Sequence, residues 1–258
     1  MASISVPIYQ IQLFALILVR VGAIIVTIPF FDSRNIPMVF KIGLSLAVGI
    51  LLFPLVAADD PGRCGTALPF CMAIISNIGV GVIIGLSVKV FFAGVQLAGQ
   101  LVGFQMGFSI ANVMDTLTSS QASIIAQVYN FIAVLIFFVV NGHHWFLRAI
   151  VQSFRSVSLY GINFGGPLRE EMMRLSSDIF VIAIKVGAPV MVALLVTSVA
   201  FGLLARTVPQ MNIFIVAFPL KIVVGILVLG ISLPVFASFL REEFSVLGRE
   251  LVVLLRMM

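Results

Sequence analysis

The sequence predicts an all-α, polytopic membrane-type protein with about six long apolar helical segments, some kinked or re-entrant. Two observations predict it. Hydrophobic residues make up 61% of the 258 positions and charged residues only 10%, against roughly 25% charged in soluble domains. The apolar residues are also gathered into continuous runs close to the ~20 residues that cross a bilayer as a helix. Strands are excluded because a membrane barrel shows short segments of alternating polarity. Fifteen basic and ten acidic side chains cannot cover a water-facing surface of this size, so lipid or partner subunits must cover the rest.

The runs are Ile11–Phe31, Ile42–Ala58, Phe70–Ala98, Ile124–Val140, Ile179–Ala205 and Ile213–Phe239. Turn-forming residues separate them: Asp32 to Pro37 between the first two, Asp59, Asp60, Pro61 and Gly62 before the third, and Gly161 to Pro167 before the fifth. Arg169 to Asp178 forms a charged helical lead-in to the fifth run. No basic n-region or small-residue cleavage site marks a signal peptide, so the first run is expected to be retained. In the tail, Leu240, Phe244, Leu247, Leu251 and Leu254 recur at helical spacing with charges on the other faces. This amphipathic helix has three readings: it lies on the membrane, packs against a partner helix, or dresses the surface.

The net charge of +5 does not indicate nucleic acid, because the basic residues are spread singly and a nucleic-acid footprint needs a clustered patch. Topology and anionic lipid head groups account for the excess. One set of alternate loops holds Arg34, Lys41, Lys89 and Arg206. The other holds Arg63, Arg148, Arg155, Arg169 and Arg174, with Arg241, Arg249 and Arg256 in the tail. Four against eight places both termini in the cytoplasm. Cys64 and Cys71 are too few for structural zinc and are read as free thiols, or as a disulfide if their loop faces an oxidising compartment.

Arg20, Lys185 and Lys221 lie inside apolar runs, where a lone charge costs about 2.5–3.5 kcal/mol on insertion scales. They are expected to face a partner, a watery cavity or each other. Snorkelling is the alternative for Lys185, and Lys221, after Pro219, is read as buried or lumen-facing. Pro189, Pro219 and Pro234 are expected to kink the last two runs. Gly99, Gly103 and Gly107 form a G-x-x-x-G-x-x-x-G ladder that lets another backbone approach closely, within the chain or between subunits. The following stretch is too polar for lipid and too apolar for a free linker. Ile110, Ala111, Asn112, Val113, Met114, Asp115, Thr116 and Leu117 alternate wedge-forming and hydrated side chains, as a cavity-lining re-entrant segment would. His143, His144 and Trp145 are read as structural, with Trp145 an interfacial anchor. No nucleotide loop, metalloprotease motif or paired carboxylates appear, and no catalytic, cofactor or metal residues are assigned.

Two stretches carry a resemblance. Arg206-Thr207-Val208-Pro209-Gln210-Met211-Asn212-Ile213-Phe214, followed by Phe218-Pro219-Leu220-Lys221, is similar to the hallmark of the FliR family and its type III secretion counterparts. Gly103-Phe104-Gln105-Met106-Gly107-Phe108-Ser109-Ile110-Ala111 with Met114-Asp115 resembles the flagellar branch, although Thr116 stands where flagellar members often carry proline. The resemblance spans essentially the whole chain. It implies a subunit of a hetero-oligomeric flagellar type III export gate in the bacterial inner membrane and basal body. The implied partners are FliP- and FliQ-like subunits, an FlhB-like subunit at the entrance, and unfolded export substrates. Residues 1–178 would correspond to a FliP-like part and 179–258 to a FliQ-like hairpin with the tail. The segment from Ile110 to Leu117 would plug the closed pore. Gly99, Gly103, Gly107, Arg206, Pro209, Gln210, Asn212 and Lys221 would make subunit contacts. An injectisome counterpart and a secondary transporter are the alternatives. The second requires paired broken helices in two symmetric halves, and no such symmetry is evident.

Overall fold

The computed structural model describes residues 7–29, 36–59, 67–108, 123–161, 165–207, 210 and 212–258. Seven helices account for nearly all of them: α1 (Ile8–Thr27), α2 (Met38–Asp59), α3 (Ala67–Met106), α4 (Ile124–Val139), α5 (Gly142–Ser156), α6 (Gly166–Thr207) and α7 (Ile213–Met257). Among the described residues, five helices are long and apolar enough to cross a membrane. The pair α4 and α5, bent by 72°, makes a sixth span if counted as one. The protein is therefore a polytopic helical membrane protein. At 1.5 Å per residue, α3, α6 and α7 are about 60, 63 and 68 Å long, roughly twice the ~30 Å hydrocarbon thickness.

The helices run further than the apolar runs. The tail does not form a separate element: α7 continues from Ile213 to Met257, because nothing between Pro234 and Gly248 stops a helix and Arg241, Glu242 and Glu243 are good helix formers. Its apolar stripe is buried inside the chain, with Leu240, Phe244, Leu251 and Leu254 all under 4% exposed, so it neither lies on a membrane nor dresses the surface. Pro189, Pro219 and Pro234 sit within continuous α6 and α7. The 72° bend between α4 and α5 falls at Asn141, whose φ of 58° is left-handed, a conformation asparagine tolerates better than most residues.

Two contact units interleave along the sequence. The first comprises residues 1–89, 141–175 and 245–258. In it α1 and α2 pair antiparallel: the Phe14 and Phe53 rings meet edge to face at 5.8 Å, and Gly49 lies under Leu18. α1 and α3 run parallel and in near-backbone contact, since a Cβ on Gly81 would lie 2.6 Å from the Ala23 Cβ and one on Gly85 2.5 Å from the Thr27 Cβ. Gly248 of the tail seats the Trp145 ring, the structural role expected of this aromatic. Arg174 of the charged lead-in bonds Glu171 and reaches Glu250 at 2.7 Å.

The second unit comprises 90–140 and 176–244. Its core is a cluster of Phe91, Phe92, Phe137 and Phe244, with ring centroids 4.4 to 6.1 Å apart. Aromatic pairs add roughly 0.5–1.5 kcal/mol each beyond the area they bury. α6 and α7 form a long antiparallel hairpin, along which Lys185 stands 3.7 Å from Glu243.

Candidate functional site

The sequence places the candidate gate on the segment after the glycine ladder. Ile110, Ala111, Asn112, Val113, Met114, Asp115, Thr116 and Leu117 lie outside the described residues, but the two stems that carry them, both in the second unit, are defined. α3 ends at Met106, which is fully buried against Gly225. Gly107 then turns the chain with φ +93°, its N–H donating to the Phe104 carbonyl at 3.0 Å. That conformation favours glycine, and space does too, because a Cβ there would strike the Phe218 ring. The chain returns at Ser123, whose carbonyl accepts the Gln127 N–H at 3.1 Å and opens α4.

The ladder brings the stems together. A Cβ on Gly99 would lie 2.5 Å from the Ala126 Cα, and Gly103 faces Ser123 and Ile125. One face of α3 thus packs against α4 and, at Gly107, against Phe218 of α7. Gln105 Oε1 and Ser123 Oγ are buried there without a hydrogen-bond partner among the described residues.

The polar turn between α6 and α7 is exposed. Arg206 closes the last turn of α6, where a cation favours the carbonyl end of the helix. Gln210 and Asn212 are exposed, and the Asn212 carbonyl accepts the Ile215 N–H at 3.1 Å. Pro209 lies outside the described residues. Lys221 is half-exposed two residues after Pro219. Among the described residues no ion pair or hydrogen bond engages the side chains of Arg206, Gln210, Asn212 or Lys221.

The sequence marks Arg20 as anomalous, and in the first unit it is fully buried. Its Nε donates to Asn77 Oδ1 at 2.7 Å. One terminal nitrogen donates to the carbonyls of Ser153 at 2.7 Å and Val157 at 3.2 Å, and the other to Ser158 at 3.1 Å. The guanidinium also lies 4.7 Å from the Phe154 ring centroid. Among the described residues no carboxylate answers this charge. The carbonyl end of α5 does, because the last carbonyls of a helix carry its negative dipole end; the Ser153 carbonyl accepts the Val157 N–H at 3.1 Å as well. Asn77 completes the clasp by donating to the carbonyls of Ala73 at 2.6 Å and Leu159 at 2.8 Å. Sequence reasoning missed Asn77. The signal was present, an amide inside the third apolar run, but its partners are backbone atoms with no sequence signature.

Lys185 does not snorkel unpaired: besides Glu243, its ammonium sits 5.4 Å from the Phe239 ring centroid. These groups bind, brace and position. Among the described residues no three of His, Cys, Asp or Glu come close enough to hold a metal ion.

Comparison with known proteins points one way. The family described as Bacterial export proteins, family 1, matches residues 11–247. The chain is 36% identical over 235 residues to the flagellar biosynthetic protein FliR of Bacillus subtilis strain 168, covering 90% of each chain. It is 31% identical over 229 residues to FliR of Escherichia coli K12, covering 88% of this chain and 87% of the relative. Against FliR of Pectobacterium carotovorum the identity is 32% over 227 residues, with 88% and 86% covered.

Proposed function

The chain belongs to the bacterial export proteins, family 1, and from that premise we propose that it is a subunit of the flagellar type III protein-export gate, which passes unfolded flagellar substrates across the inner membrane. The observation that carries the proposal is the family match over residues 11–247, nearly the whole chain. The chain's own physics supports it. Only 11% of the most apolar window of α7 is buried within the chain, so this surface is built to be covered by other subunits or lipid.

In this reading FliP- and FliQ-like subunits cover the exposed helices and an FlhB-like subunit contacts the entrance, all within the basal body. Residues 1–178 act as the FliP-like part and 179–258 as the FliQ-like hairpin. Arg206, Pro209, Gln210, Asn212 and Lys221 contact neighbouring subunits. Gly99, Gly103 and Gly107 hold the stems of the gate segment in close contact within the chain, packed on Ala126, Ser123 and Phe218. Ile110 to Leu117 forms the plug, anchored on one side by Gly107 against Phe218 and on the other by Ser123 against Gly103. The protein acts as a conduit and not as an enzyme. An injectisome counterpart is the second reading, disfavoured by the Gly103 to Ala111 motif.

The test is purification in mild detergent with candidate partners co-expressed. A single stable complex with FliP- and FliQ-like chains, and loss of motility on deleting this chain, are expected. A monodisperse monomer that transports a small solute would overturn the reading.

A further inference from the structure

We propose that one face of the α3–α4 pair in the second unit binds the backbone of an extended polypeptide in transit, through the side-chain amides of Gln96, Gln100, Gln127 and Asn130. The proposal rests on the export-gate reading and deepens it by naming where cargo touches this chain.

The four amides come together because of how the two helices pair. α3 and α4 run antiparallel, with Gly99 against Ala126 and Gly103 against Ser123. That register puts Gln96 level with Asn130 and Gln100 level with Gln127. With 3.6 residues per turn, Gln96 and Gln100 fall on one edge of the contact line, and Gln127 and Asn130 fall on the same edge from α4. The other edge is taken by the α6–α7 hairpin. Val95 and Val102 of α3 are fully buried there, Val102 lies beside Gly187 of α6, and the Tyr129 ring of α4 is centred 5.4 Å from that of Phe236 on α7. The amide edge is open: Gln96, Gln100 and Gln127 are exposed and Asn130 is half-buried. Among the described residues no hydrogen bond engages any of the four side chains.

Four unmatched amides suit neither hydrocarbon nor the apolar side of a packed helix, since burying an amide without a partner is costly. A helix of another subunit has its backbone groups bonded internally. An extended chain does not: each residue other than proline presents an N–H and a C=O, and an amide side chain can both donate and accept. Spacing agrees. Gln96 and Gln100 lie about 6 Å apart along α3, and an extended chain repeats its same-side groups about every 6.7 Å. Neither α4 nor α3 beyond Lys89 carries a charged residue, so the face treats acidic and basic cargo alike. Phe104 and Phe131, 70% and 64% exposed, flank the amides and give apolar side chains a footing. The track ends at Ser123, whose Oγ is buried without a partner among the described residues, at the stem of the gate segment.

The experiment uses the assembled export complex in cells, with an export substrate stalled in transit by a tightly folded domain fused behind its unfolded segment. Phe104 is replaced by photoreactive benzoylphenylalanine, which leaves the amides intact. Irradiation is expected to crosslink this chain to the unfolded segment of the stalled substrate. The same photoprobe at Leu195, 60% exposed on α6, should capture none of it. Gln100→Leu with Gln127→Leu, read with the probe at position 104, should lower the crosslink yield per assembled complex about tenfold, the effect of losing two ordinary hydrogen bonds. Gln100→Glu with Gln127→Glu should shift export toward a lysine-rich unfolded segment over a glutamate-rich one, a selectivity that the unaltered chain lacks. Capture of a neighbouring subunit or of lipid in place of the substrate, equal capture from Leu195, an unchanged yield on the two leucine substitutions, or no charge selectivity on the two glutamate substitutions would overturn the proposal. In each of those outcomes export continues and the gate reading stands. A complex that exports no substrate overturns the gate reading, and this proposal with it.

Discussion

Replacing Arg20 with methionine should unfasten the first unit. Methionine keeps much of the volume and removes every donor, so the change separates hydrogen bonding from packing. It strands Asn77 Oδ1 and the carbonyl of Val157 in buried surroundings, while the Ser153 carbonyl keeps the Val157 N–H at 3.1 Å. A buried acceptor left without a partner costs about 1–3 kcal/mol, which gives roughly 2–6 kcal/mol for two. Removing a buried cation also removes its desolvation penalty, so the lower half of that range, about 2–4 kcal/mol, is the expected loss. For a chain of this size 1 kcal/mol moves the midpoint by about 2–4 °C, so the midpoint should fall by at least about 4 °C. Trp145, the sole tryptophan, lies on α5, the helix whose carbonyl end Arg20 holds, and its emission in detergent reports the transition. Arg20→Lys should fall between, because one ammonium cannot reach four acceptors spread around a planar fork. Asn77→Ala should lower the midpoint by less than Arg20→Met. A shift under about 2 °C for Arg20→Met, with assembly intact, would refute the view that this clasp holds α1, α3 and α5 together.

Gly107→Ala should impair assembly and motility, because a side chain at φ +93° costs about 1–2 kcal/mol and also strikes Phe218; Phe218→Ala should relieve the second effect only, and normal swimming of Gly107→Ala would count against both. Arg206→Ala combined with Asn212→Ala should reduce motility in soft agar more than Arg249→Ala, and equal swarm diameters would remove the polar turn from the list of working contacts. Deleting residues 112–119 while assembly is preserved should raise ion leakage through the membrane, because one unit charge crossing 100 mV releases about 2.3 kcal/mol and an open lumen squanders it. Unchanged conductance in that deletion would mean the plug lies elsewhere.

How much of this was legible in the sequence depended on whether the signal was local. The apolar runs gave the helices, because a bilayer-length stretch of Leu, Ile, Val and Phe has few other fates. They gave the ends of α3, α6 and α7 poorly, since polar helix formers such as Arg241 to Glu243 extend a helix as readily as apolar ones. Four-residue glycine spacing revealed a close approach on α3. It could not reveal that Ala126, Ser123 and Phe218 would meet it, for they lie up to ~110 residues away and carry no mark of the pairing. Arg20 was visible as a charge in the wrong place. Its solution was not, because three of its four acceptors are backbone carbonyls, and these become special only where α5 happens to end.

Two of the three cations inside apolar runs, Arg20 and Lys185, are resolved in opposite ways, and the contrast bears on what surrounds the second unit. Arg20 is fully buried and answered by fixed dipoles, so it needs nothing from outside. Lys185 has a side chain 55% exposed with a carboxylate 3.7 Å away. A solvated pair of that kind contributes about 0–1 kcal/mol, too little to justify placing two charges among Phe180, Val181 and Ile184, which are 65%, 45% and 59% exposed on the same helix. Against bare hydrocarbon the pair would be a liability of several kcal/mol. Its presence therefore argues that this stretch of the α6–α7 hairpin meets either water or a polar group of another subunit. Neutralising both members, with Lys185→Met and Glu243→Met together, should leave the isolated chain as stable as before while weakening its recovery in the assembled complex. If recovery is unchanged, that face meets water and the pair makes no contact with another subunit.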